Sequence, residues 1–216
     1  MNKKALSDPP MDCLLCPRLV ELRDENRILY PHYYNAPVPS FGDINAKLLV
    51  VGMAPGLRGA NRTGRPFTGD YAGDLLYSTM LKFGFARGNY DKRLDDNLFL
   101  IDCRITNAVR CVPPKNKLTS LEINNCRSFL ELTIKEMRSL KVIMALGSTA
   151  HSATLSALGY RKSSAKFCHN MPHGLNNGLI LIDSYHCSRY NTQTGLLTTA
   201  MFHQVFSQVR NLLSLA

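Results

Sequence analysis

The sequence predicts an α/β fold, a three-layer α/β/α sandwich around a central, mostly parallel four-stranded sheet. Three observations predict it. Short apolar runs recur along the chain, KLLVVG (47–52), LFLID (98–102), KVIMALG (141–147) and LILID (179–183), each closed by glycine or aspartate. Stretches with apolar residues at helical spacing separate them. The runs are too continuously apolar for a sheet with one wet face, so they read as parallel strands covered on both sides by helices.

Taken in order, no strong strand signal precedes about residue 45. Leu15, Leu19, Leu22 and Leu29 recur at helical spacing and predict a helix after the first cysteines, ended by Pro31. A loop follows through Pro37 and Pro39. Lys47–Gly52 is the first strand, then a glycine-rich loop and a helix over about 72–83. Leu98–Asp102 is the second strand, with Ile105–Val109 close behind. Asp91–Asp96 (DKRLDD) reads as a charged, solvated loop. Thr119 and Glu122 have the spacing of a capping box and open a helix to about Leu140. Lys141–Gly147 is the third strand, Ser148–Leu158 a helix, Leu179–Asp183 the fourth strand, and a last helix covers about 196–213. Sites in such sheets lie beyond the carboxyl ends of the strands. That rule points to the loops starting at Gly52, Ile105, Gly147 and Ser184.

The 216 residues and 45% hydrophobic content suit one domain over 1–216, with 1–45 an N-terminal segment integrated into it. No apolar run approaches the roughly 18 residues of a membrane span. Residues 1–12 have no apolar h-region, so no signal peptide is expected. The expectation is a cytoplasmic monomer with no membrane partner. Lysine and arginine exceed acids by +10, which suits a polyanion. Arg58, Arg62 and Arg65 lie in the first loop, Arg104, Arg110, Lys115 and Lys117 after the second strand, and Arg189 after the fourth. Positive charge is therefore expected where the sheet rule puts the site, with phosphate binding that weakens steeply in salt.

Four segments carry candidate chemistry. Cys13 and Cys16 form C-x2-C, and Cys111 and Cys126 lie far downstream. A C-x2-C pair turns two thiolates toward one metal, but the second pair is too widely spaced for a simple zinc ribbon. Zinc, an iron–sulfur cluster and plain buried cysteines all remain open on spacing alone. Cys103, Cys168 and Cys187 fit no ligand pattern. The second segment, GMAPGLRGANRTGRPFTGD (52–70), is neither a phosphate P-loop nor a dinucleotide fingerprint. Its glycines permit tight turns and close approach to a ligand. Phe67 offers an aromatic face, and Asp70 is either a helix N-cap, a catalytic carboxylate, or both. In the third, TNAVRC (106–111), the amide of Asn107 matches a pyrimidine edge with a carbonyl beside an N–H, or simply caps a loop. The fourth, SYHCSRYNT (184–192), joins a histidine to hydroxyls, an arginine and an aromatic.

Together these segments resemble the iron–sulfur group, often called family five, of the uracil-DNA glycosylase superfamily. GANRTGRPFTGD resembles its first motif almost residue for residue, TNAVRCVPPKNK its asparagine-to-cysteine segment, and HCSRYNT its final histidine–serine loop. The likeness runs from Cys13 to about Phe206. It implies a [4Fe–4S] cluster on Cys13, Cys16, Cys111 and Cys126. It also implies that Phe67 stacks on a flipped-out base, that Asn107 reads its edge, and that Gly52, Met53 and Ala54 line the pocket. His186 would face the base carbonyl, and Ser188 would grip the DNA backbone. Arg189 or Tyr190 would fill the gap left by the base, and Arg62 joins them as an expected DNA contact. The position after Gly52, where many relatives carry an acid or polar residue, holds Met53 and Ala54. Catalysis would then fall to Asp70. The implied partner is DNA carrying uracil or another deaminated base such as hypoxanthine. The rival readings are a zinc-stabilised binding module and a hydrolase of small nucleotides.

Overall fold

The structure, a computed structural model, describes residues 7–215. The first six residues, half of the segment read for a signal peptide, lie outside the described residues. The helices are α1 (Pro17–Leu29), α2 (Ala60–Thr63), α3 (Tyr71–Lys82), α4 (Ser120–Glu136), α5 (Ser148–Ala157), α6 (Arg189–Gln193) and α7 (Thr199–Ser214). The strands are β1 (Phe41–Gly42), β2 (Leu48–Gly52), β3 (Ala86–Arg87), β4 (Phe99–Leu100), β5 (Cys103–Asn107), β6 (Val142–Leu146), β7 (Pro172–Gly174) and β8 (Ile180–Ser184).

Among the described residues the main sheet has six strands, in the order β1-β5-β2-β6-β8-β7, not the expected four. Its parallel centre is β5-β2-β6-β8, in which β2, β6 and β8 are three of the four expected strands and β5 stands where LFLID was expected. The extra two are short antiparallel edges, β1 on β5 and β7 on β8. Two or three residues carry no periodic signal, which is why they were illegible. Along β2, Leu48 and Val50 pack with Leu76, Met80, Phe202 and Phe206 on the α3/α7 side. Leu49 and Val51 pack with Leu130, Ala150 and Ala153 on the α4/α5 side. All four side chains are fully buried, each contributing roughly 1.5–3 kcal/mol relative to exposure, which fixes the strand ends that carry the site.

The second central strand is also displaced from its expected place. LFLID contributes only the two-residue β4, paired with β3 in a separate ribbon. The chain then turns at Asp102, whose φ is +48°, and CRITN (β5) enters the main sheet with every residue buried. Arg104 made CRITN look unlike a core strand; the residue is buried, and its guanidinium donates to the Gly42 carbonyl of the edge strand. In α1 the helix is as expected but its buried face is not. Of the four leucines only Leu19 is buried, beside Arg23 and Asn26. The capping box of α4 is complete: Thr119 N–H donates to Glu122 at 2.8 Å, and Glu122 N–H to the Thr119 hydroxyl at 3.3 Å. No helix among the described residues is long and apolar enough to cross a membrane.

From β2 the chain passes to β5 on one side and later to β6 on the other. The order therefore reverses at β2/β6, and a crevice opens at the carboxyl ends of those strands.

Candidate active site

That crevice holds a cleft of about 260 Å³ lined by Ala54, Pro55, Phe67, Asp70, Asn107 and His186, among others. It opens into a groove of about 1870 Å³ whose rim carries Met53, Arg58, Tyr71, Ser148, Ser188 and Arg189.

Each polar group reaches the cleft for a local reason. Gly52 and Asn107 are paired at the ends of β2 and β5. A Cβ on Gly52 would collide with Asn107 Oδ1 and lie 2.6 Å from Phe67 Cζ, so only glycine lets amide and ring meet here. Gly52→Ala is therefore expected to fold but to lose activity by about tenfold or more, since Asn107 or Phe67 must move. Steady-state kinetics beside a melting curve would check it; unchanged kinetics would mean the contact is incidental. Asn107 Oδ1 is buried and has no hydrogen-bond partner among the described residues. Buried polar atoms are rarely left unpaired, and a site for a ligand is one physical reason for it.

Asp70 is the N-cap of α3, accepting from Gly73 N–H at 3.2 Å. Its second carboxylate oxygen points toward Gly59 and Gly56, where a Cβ would crowd it. Burial raises its pKa above the ordinary 3.8, partly opposed by backbone N–H bonds from Gly73 and Ala72. Cap and cleft carboxylate are thus one side chain. His186 follows β8, with its ring 5.9 Å from that of Phe67 at 30°. Burial pushes its pKa down to about 4, so the ring is neutral at physiological pH. Its loop is tied down by Asn191 Nδ2 donating to His186 O at 2.8 Å and by the buried Cys187 thiol against Ala72 O at 3.4 Å.

Ser188 caps the short α6, accepting from Asn191 N–H at 3.4 Å. Arg189 lies over the Tyr71 ring, 5.5 Å from its centre, and Tyr190 is exposed. Arg58 and Arg62 are exposed on the glycine-rich loop. The expected cluster of positive charge is smaller than the sequence suggested. Arg65, Arg104 and Arg110 are buried and structural. Arg110 is held by Asp8, Ser40 and Thr133, each at 2.9 Å. The DKRLDD loop is likewise not simply solvated, for the Asp96 side chain is buried against Arg65. Tyr71, on the groove rim, and Tyr90, behind the Phe67 loop, were not singled out in the sequence: Tyr71 stands just past the end of the glycine-rich motif, and Tyr90 is a lone tyrosine with no motif around it.

Cys13, Cys16, Cys111 and Cys126 line one cavity of about 330 Å³ with Leu19, Arg23 and Phe129. Two ties link the segments that bring them together. Arg18 pairs bidentately with Glu122 at 2.7 Å, and Asn125 Nδ2 donates to Leu15 O at 2.6 Å. Burial pushes the Cys111 thiol up to about 12 and Cys126 to about 11, and the neighbouring cysteines add to both shifts. Of the other cysteines, Cys103 and Cys187 are buried and Cys168 is exposed. Among the described residues, the sole trio of metal-type ligand atoms within 4.8 Å is His151, His173 and Asp183, where the buried Asp183 bridges the two rings at 2.7 and 3.0 Å.

A family model described as the uracil DNA glycosylase superfamily matches residues 39–210. The chain belongs to that superfamily. A type-5 uracil-DNA glycosylase of Thermus thermophilus is 40% identical over 220 residues, all of both chains. The type-5 uracil-DNA glycosylase of Pyrobaculum aerophilum is 37% identical over 90% of this chain and 86% of its own. A type-4 uracil-DNA glycosylase of the same organism is 32% identical over only 60% of this chain and 58% of its own. Within the superfamily the similarity is thus fuller toward the type-5 members.

Proposed function

We propose that this protein is a DNA repair glycosylase that hydrolyses the N-glycosidic bond of uracil in DNA and leaves an abasic site. The observation that carries this is the meeting, in one cleft, of the Phe67 face, the unpartnered Asn107 amide oxygen, the neutral His186 and the Asp70 carboxylate. Near-full-length relatives named uracil-DNA glycosylases support it.

The chemistry follows. Uracil is stacked inside the duplex and must be everted at a cost of a few kcal/mol. Stacking on Phe67 returns about 1–3 kcal/mol. The Asn107 amide reads the carbonyl and N–H of the pyrimidine edge. As the glycosidic bond breaks, its electron pair moves onto the base, and charge grows on a uracil carbonyl. An N–H of neutral His186 stabilises that charge as an oxyanion hole does. The sugar becomes cationic, and Asp70 stabilises it, orients the attacking water and takes its proton. Arg62, Ser188, Arg189 and Tyr190 hold the DNA, with Arg189 or Tyr190 filling the vacated stack. The apolar Met53 and Ala54 leave the cleft without a polar gate, so hypoxanthine is a second candidate substrate.

The four cysteines fit a [4Fe–4S] cluster. Tetrahedral zinc with Zn–S near 2.3 Å brings thiolates about 3.8 Å apart. Here no three of the four sulfurs lie within 4.8 Å of one another, a spread that favours a larger group. Arg23, whose guanidinium donates to Cys13 O at 3.0 Å, and Arg110 offset thiolate charge. Bound there, the cluster would supply a structural anchor between α1 and α4.

An oligonucleotide panel with a single uracil, hypoxanthine or xanthine, cleaved at any abasic product, tests the function. Cleavage at uracil is expected. Turnover of free nucleotides with no competition by DNA would instead mean a small-nucleotide hydrolase.

A further inference from the structure

The loop that carries Phe67 is strained, and its support comes from a segment outside the cleft. Phe67 has φ +53°, an unfavourable backbone for an aromatic residue that persists only where neighbours impose it. The neighbours are specific. The Tyr90 hydroxyl donates to Phe67 O at 3.2 Å and accepts from Gly69 N–H at 3.3 Å, so one oxygen ties both sides of Thr68. At Gly73 a Cβ would collide with Phe67 O and lie 2.5 Å from Tyr90 Oη, so that glycine makes room for the tie. Arg65 donates through Nε to Thr68 Oγ1 at 2.7 Å and pairs bidentately with Asp96 at 2.7 Å. Both side chains of that pair are essentially buried, at 2% and 0% exposure. The Arg65 guanidinium lies within 6 Å of the Phe41, Tyr77 and Tyr90 ring centres, at 5.2, 5.6 and 5.9 Å. Tyr77 in turn donates to Pro66 O at 2.6 Å. Every residue from Arg65 to Gly69 except Phe67's own ring is therefore gripped from behind.

We infer that Tyr90 is a positioning residue for base excision: its hydroxyl holds the Phe67–Gly69 backbone in the strained form that aims Phe67 into the cleft, with the Arg65–Asp96 pair as the rigid mount. This rests on the glycosylase reading above. Tyr90 and Asp96 stand behind the loop, outside the residues that line the cleft. Strain held by a hydrogen bond rather than by packing alone makes the hydroxyl, not the ring, the active part.

Tyr90→Phe keeps the ring against Tyr77, 4.6 Å away, and removes only the hydroxyl. Its single-turnover excision of uracil is expected to fall about tenfold at saturating enzyme, with the half-saturating concentration unchanged because the DNA contacts are elsewhere. In a Phe67→Leu background the same change should cost less than twofold, because groups that act through one another are not additive. Thr68→Val, which cuts the Arg65 tie, gives the same cycle by a second route should Tyr90→Phe fail to fold. A Tyr90→Phe rate within twofold of wild type, or losses that multiply in the double variant, would overturn the inference while leaving wild-type excision intact. A wild-type protein that does not excise uracil overturns the function itself, and the inference with it.

Discussion

Asp70→Asn is expected to lower uracil excision by about 10²-fold or more while leaving the melting temperature unchanged or raised. The two halves of this expectation come from the two roles of one side chain. Asparagine is as good an N-cap as aspartate, so the bond from Gly73 N–H at 3.2 Å survives the change. The carboxylate charge does not, and with it goes the group that takes the water proton. Burial raises the Asp70 pKa in the folded protein. A raised value means the folded state binds the proton more tightly than the unfolded chain does. That stabilisation is fully present below the unfolded value and is lost as pH rises through the folded one. At neutral pH the ionised, partly desolvated Asp70 therefore weighs against folding, and the amide removes that burden. The same shift sets the wild-type pH profile. Activity should fall on the acid side as Asp70 protonates, at a midpoint above 3.8, and this limb should vanish from the residual rate of the variant. His186 is already neutral above about 4 and adds no limb between pH 5 and 8. Near-normal turnover of Asp70→Asn would sink the catalytic role. A large fall in melting temperature would instead mean that the carboxylate is structural.

The parallel centre of the sheet was legible because its strands are long enough to show a pattern and are buried on both faces. KVIMALG and LILID needed nothing else. CRITN was legible only in part, because a strand with a buried arginine reads as polar, and the neighbouring LFLID is more apolar although it forms only an outlying ribbon. The site was legible where motif residues sit on loops leaving those strands: Gly52, Phe67, Asp70, Asn107 and His186 all meet in one cleft or at its edge. What could not be read was which charges are mounts and which are contacts. Arg62 and Arg65 are three positions apart in the same loop, yet one is exposed and the other is buried on Asp96, about thirty residues downstream. Only tertiary structure separates them, because a buried ion pair leaves no local trace in sequence. Tyr90 was hidden for the same reason.

Cys111→Ser should bleach the protein and loosen it together. The wild-type holoprotein is expected to be brown, with the broad visible absorbance of an iron–sulfur cluster, and the variant colourless. Cys111 is the critical choice among the four because it lies four positions after Asn107, on the segment leaving β5, whereas Cys13 and Cys16 precede α1 and Cys126 sits within α4. A cluster bridging these segments stabilises the folded chain by the free energy of its binding, since the unfolded chain offers no such site. Taking a loss of roughly 3 kcal/mol and 2–4 °C per kcal/mol for a chain of this length, the melting temperature should drop by about 6–12 °C. The ties from α4 to α1 and to the segment before it, Arg18–Glu122 and Asn125–Leu15, remain, so loss of all structure is not expected. Excision should fall with the colour, because Cys111 ends the short segment that leaves β5 at Asn107, and loosening it lets that end of the strand shift. Visible absorbance, melting curve and excision rate, measured on one preparation of each protein, check it. A colourless wild type that contains zinc would overturn the cluster assignment. A variant that loses its colour but keeps full stability and full excision would show that the group, though bound, anchors nothing the active site needs.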